Sequence, residues 1–95
     1  MKEVDEKFFK RADEHINLSN DQLKTESKGK VSASMMYSVA RFNSWVSACG
    51  WNNGEEMKSA KKETIDYFVN EYKIMLEENM DDYIESFNDY MKPKR

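Results

Sequence analysis

Phe8, Ala12, Ile16, Ser19 and Leu23 follow one another at three- and four-residue steps, with Phe9 widening the line and Lys, Asp, Glu and Asn filling the other faces. That spacing sets small and apolar side chains along one side of a helix, so it predicts an amphipathic helix over about 4–27. Lys28 and Gly29 are expected to end it, glycine being the usual left-handed residue just past a helix.

A second helix is predicted over about 31–49. Val31, Met35, Val39, Phe42 and Val46 form one stripe, while Met36, Ala40, Tyr37, Trp45 and Ala48 cover other faces. A helix apolar on most sides is usually enclosed, so this one is expected to be the least exposed element. Its many Ala and Ser residues, among them Ala33, Ser34, Ser38 and Ser44, would let neighbouring helices come close. "GWNNG", Gly50 to Gly54, then reads as a loop.

The third predicted helix covers about 55–91. Asn53 three residues before Glu56 reads as a capping pair, with Glu55 and Glu56 against the positive helix end. Met57, Ala60, Thr64, Phe68, Tyr72, Met75, Asn79, Tyr83, Phe87 and Tyr90 hold one continuous stripe. Unbroken, roughly 36 residues at about 1.5 Å each make a rod of roughly 54 Å. A compact chain of this size has a radius of gyration of only about 12–13 Å. Either the rod breaks near Asn79, where "NMDD" could restart a helix, or its end packs on another subunit.

The expected fold is therefore all-α, a single domain over 1–95. It has three to four helices: two shorter ones plus a long or broken C-terminal one, in a dimeric bundle. A chain of 95 residues buries a modest share of its surface, which makes a partner subunit a natural complement. Tyr83, Phe87 and Tyr90, at the end of the long stripe, are the expected anchors of a homodimer interface.

Charge narrows the partners. Residues 1–48 hold seven acids and eight bases, whereas 55–91 hold eleven acids and four bases. An acidic C-terminal half offers no broad footprint for nucleic acid. No apolar run approaches the roughly 20 residues that span a bilayer. "MKEVDEKFFK" has no signal-peptide apolar core, and Cys49 is the only cysteine. A cytoplasmic protein without disulfide or cysteine-based zinc site is the expectation.

Four features could carry chemistry. Lys28, Lys30, Ser32 and Ser34 could hold an anion at the start of the second helix, although the phosphate-loop pattern is absent. The ordinary reading is a turn between two helices. Glu77, Glu78, Asp81, Asp82, Glu85 and Asp89 run without a base among them. They read as a solvated face, with divalent-cation binding as the alternative; the Glu-x-x-His pairs of a di-iron centre are missing. Nothing in the sequence brings His15 and Cys49 together as base and nucleophile. Arg41 and Asn43 sit within the most apolar helix, where an unpaired charge or amide is costly. They predict either a structural network or a polar pocket near Tyr37, Arg41 and Asn43, faced by His15, Asn17 and Asn20. In the pocket reading the protein is a small-ligand-binding domain or an enzyme. In the other it is a non-enzymatic interaction or structural module that self-associates. No cofactor motif favours the enzyme.

"RADEHINLSNDQ", "GKVSASMMYSVARFNSW" and "YKIMLEENMDDYIESF" resemble a small proteobacterial family, domain of unknown function three-one-four-four. The resemblance spans roughly residues 8–87, with "ARFN" its most distinctive part. It implies an all-helical fold and brings no established activity, cofactor or catalytic residue.

Overall fold

The computed structural model describes residues 3–92. They form five helices: α1 (Phe8–Gln22), α2 (Lys28–Ala48), α3 (Gly54–Ser59), α4 (Lys61–Glu85) and α5 (Phe87–Met91). No strand occurs among the described residues, so the fold is all-helical. Contacts divide the chain into two units, Met1–Trp45 and Val46–Arg95.

In the first unit, α1 starts later than its stripe. Asp5 makes the local turn: its carboxylate accepts the Lys7 N–H at 3.2 Å and its carbonyl accepts the Phe8 N–H at 3.1 Å. The same carboxylate pairs with Arg11 at 3.1 Å, which lowers its pKa. The chain before Phe8 is thus held in a turn rather than a helix.

The far end of α1 also departs from expectation. After Gln22 the chain tightens through Lys24 N–H to Asp21 carbonyl and Thr25 N–H to Gln22 carbonyl, three-residue bonds that satisfy the last carbonyls without a left-handed residue. No described glycine has positive φ, and Gly29 lies inside the first turn of α2. The reason is Ser27. Its hydroxyl accepts the Lys30 N–H at 3.3 Å and its carbonyl the Val31 N–H at 3.1 Å, so it caps α2 and brings the start forward to Lys28. The Ser19 hydroxyl then reaches the Met35 sulfur at 3.7 Å, a contact between α1 and α2.

In the second unit the predicted capping pair is present. The Asn53 side chain accepts the Glu56 N–H at 3.0 Å, and the Glu56 carboxylate accepts the Asn52 N–H at 2.7 Å. This reciprocal pair is shifted one residue outward from the usual capping box. The long third helix breaks, but not near Asn79. There α4 is continuous, and the Asn79 amide donates back to the Met75 carbonyl at 2.7 Å instead of capping a new helix. The breaks fall at Ala60, whose N–H is shared by the Glu56 and Met57 carbonyls, and at Ser86, with φ −109° and ψ 28°. Past Ser86, the Tyr90 hydroxyl donates to Asp82 at 2.7 Å and its ring lies 4.5 Å from that of Tyr83.

Burial follows the predicted stripes but is slight. Phe8, Ala12, Ser19 and Met35 in the first unit are half-buried, as are Met57, Ala60, Thr64, Phe68 and Met75 in the second. Val31, 7 % exposed, is the only buried side chain among the described residues. The expectation that α2 is enclosed therefore fails for the single chain: Met36, Tyr37, Phe42 and Trp45 are all exposed. Its hydroxyls have no need of another helix either. Ser38 and Ser44 donate to the Ser34 and Ala40 carbonyls one turn back, at 2.9 and 2.8 Å.

Two substitutions check the packing of α2 and the start of α3. Val31→Ala should lower stability by about 1–3 kcal/mol, the worth of a buried Val side chain. Asn53→Ala should cost about 1 kcal/mol through the lost cap. Urea denaturation midpoints read both. An unchanged midpoint would take Val31 out of the core, or Asn53 out of the cap.

Candidate functional site

The polar residues expected to line a pocket are exposed, all but one of them. His15, Asn17 and Asn20 are exposed on α1, Tyr37 and Arg41 are exposed on α2, and Asn43 is half-buried there. Tyr37 and Arg41, one turn apart, share a side of the helix. Asn43, two residues past Arg41, points about 200° round from it. The premise that Arg41 needs a buried partner does not hold in the single chain, because an exposed guanidinium keeps its water.

The anion candidates split in the same manner. Lys28 and Ser32 lie on one side of α2, and Lys30 and Ser34 on another. Lys30 approaches Glu26 at 3.9 Å, and its own N–H is taken by Ser27. The start of α2 is thus partly occupied by the chain's own groups.

The acidic run lies along α4 and into α5, and among the described residues no three His, Cys, Asp or Glu side chains are grouped to hold a metal ion. Asp82 instead accepts the Tyr90 hydroxyl. His15 and Cys49 are both exposed. At the α3–α4 junction a depression of about 450 Å³, open to solvent, is lined by Lys58, Ser59, Lys61, Lys62, Ile65 and Asp66. Its acid is already engaged, since Lys62 and Asp66 pair at 2.8 Å.

What the surface does present is apolar. Tyr83, Phe87 and Tyr90, the expected interface anchors, are all exposed. A second line on α4 shares Tyr72 and Tyr83 with the predicted stripe and adds Ile65, Val69, Leu76 and Met80, which the predicted stripe leaves out; all six are between 45 % and 60 % exposed. Its steps of four, three, four, four and three residues carry a helical signal. It is masked in the sequence because the longer Met57–Tyr90 stripe runs beside it. Among the described residues no helix is long and apolar enough to cross a membrane.

The hydrogen bond to Asp82, followed by that residue's charge, raises the Tyr90 pKa above its ordinary value of 10.0. The phenol favours the folded state while protonated, so this contribution is complete below the ordinary tyrosine pKa and is lost as pH rises through the raised one. Difference titration in the ultraviolet, Tyr90→Phe against parent, should show Tyr90 ionising above the ordinary value. Asp82→Asn should bring it back down; an unmoved Tyr90 titration would deny the pair.

The chain resembles a solved structure along nearly its whole length. An NMR structure of the protein NB7890A from Shewanella sp is 38% identical, with a TM-score of 0.79, over 97% of this chain and 98% of that one. No curated protein matches. The family described as "Protein of unknown function (DUF3144)" matches residues 8–84, which takes in α1, α2, α3 and nearly all of α4. With that span matched and the all-helical fold in place, the chain belongs to this family.

Proposed function

We propose that this protein is a small non-enzymatic helical module that self-associates, a bacterial cytoplasmic homodimer whose work is interaction rather than catalysis. One observation carries the reading: both units expose large apolar side chains along their helices while only Val31 among the described residues is buried. The chain's accessible surface is 8776 Å². A folded monomer of 11.3 kDa with a closed core exposes about 5,700 Å². The difference, about 3,100 Å² per chain, comes to about 6,000 Å² over two copies, at or above the about 2,000–5,000 Å² total of obligate interfaces.

Exposed apolar area of this extent is uncommon on a monomer, and a symmetric pair is the commonest way to cover it. The enzyme and ligand-binding readings lack support of comparable weight, because Tyr37, Arg41 and Asn43 share no enclosed site. In this proposal the whole chain acts as one domain, its folding coupled to pairing.

Sedimentation equilibrium at tens of micromolar should return twice the chain mass of 11.3 kDa. The thermal midpoint should rise with protein concentration, as pairing linked to folding requires. A mass of 11.3 kDa with a concentration-independent midpoint would overturn the proposal.

A further inference from the structure

We infer that the line Ile65, Val69, Tyr72, Leu76, Met80 and Tyr83 on α4 is the surface that binds a second copy of this chain, and that the two α4 helices pair antiparallel about a two-fold axis close to residue 74. The inference rests on the self-association proposed above and specifies its face, orientation and register.

The line is built for a helix partner. Its three- and four-residue steps keep it on one side of α4 for about 27 Å between Ile65 and Tyr83. All six side chains are exposed along a helix that is continuous throughout. Half-covered as they are, they offer roughly 500 Å² per copy. With the stems of flanking lysines this approaches the about 800 Å² per partner of a stable interface. Tyr72 and Tyr83 supply the amphipathic rings that concentrate at such contacts.

The register comes from the spacing. Reversing the line about residue 74 sets Ile65 against Tyr83, Val69 beside Met80 and Tyr72 against Leu76. The same patch therefore serves both copies, as a two-fold interface requires. Slipping it by one turn leaves a large side chain without an opposite at each end.

Orientation follows from charge. Between Lys61 and Lys73 three lysines balance Glu63, Asp66 and Glu71, whereas Glu77 to Asp89 hold six acids and no base. A parallel pair would bring the two acidic stretches to the usual interaxial distance of about 8–10 Å, within roughly one Debye length. An antiparallel pair moves them to opposite ends. It also sets Lys73 beside Glu77 of the other copy, and Lys61 and Lys62 near its Glu85 and Asp89. The charge pattern thus fits a second copy in one direction only.

The test uses full-length chains in which Cys49→Ser removes the exposed native thiol. Chains carrying Ile65→Cys are mixed with chains carrying Tyr83→Cys and oxidised after subunit exchange. The expected product is a covalent pair with one chain of each kind, at least tenfold more abundant than like pairs. Predominance of like pairs would overturn the orientation. Absence of any cross-link, with a dimeric mass retained, would place the interface elsewhere. A monomeric parent would overturn self-association itself, a separate result. A surface substitution guards against misfolding at the seam: Lys73→Glu should raise the dimer dissociation constant about three- to tenfold, and adding Glu77→Lys should restore it. An unchanged constant for Lys73→Glu, with unaltered circular dichroism, would also overturn the register.

Discussion

Everything in this molecule depends on a mismatch between backbone and side-chain satisfaction. Helices close their own hydrogen bonds, and the ends that need help find it within a few residues. Apolar side chains have no such local remedy; they must be covered by something distant in sequence or by another molecule. Here side-chain caps serve the starts of α2 and α3, while the second requirement is hardly met at all, with Val31 the only buried side chain described. A protein of 95 residues is near the size where such a deficit becomes common, because surface outruns volume as chains shorten.

Local polar chemistry accordingly sets several of the helix starts. Asp5 folds the N-terminal approach into a turn, Ser27 starts α2, and Asn53 with Glu56 start α3. Hydroxyls of the kind that join helix to helix turn back on their own carbonyls at Ser38 and Ser44. The ion pairs are exposed and mostly one turn apart along the chain. Such pairs contribute little to stability, about 0–1 kcal/mol each, and do not hold one helix to another.

The same division explains why no enclosed polar site emerges among the described residues. A pocket needs side chains from separate elements brought together and shielded from water. Arg41 and Asn43 look costly when the sequence is read as a buried helix. In the structure Arg41 is solvated and Asn43 only half-covered, so the electrostatic pressure for a partner or a ligand is relieved. The acids of α4 and α5 are likewise spread along a rod. They influence how two such rods can approach and form no grouped cation site among the described residues.

Much of the fold is legible in the residues themselves. The all-helical class, the α1 and α2 stripes, the loop before Asn53 and the Asn53–Glu56 cap all follow from spacing and cap chemistry, which act over a few residues and so are written locally. Gly29 shows the limit: glycine after a helix usually ends it, yet Ser27 two residues earlier claims the next helix first. Asn79 shows it again, since its amide had two local options and took the carbonyl behind it. The break at Ser86 comes with a Tyr90–Asp82 bond and a Tyr83–Tyr90 ring contact, seven residues past the "NMDD" signal at Asn79. The apolar line from Ile65 to Tyr83 is present in the sequence, but periodicity reports only that side chains share a side. Whether that side is covered depends on what folds against it, and this only the three-dimensional arrangement decides, because burial is a property of neighbours and not of the helix that bears the side chain.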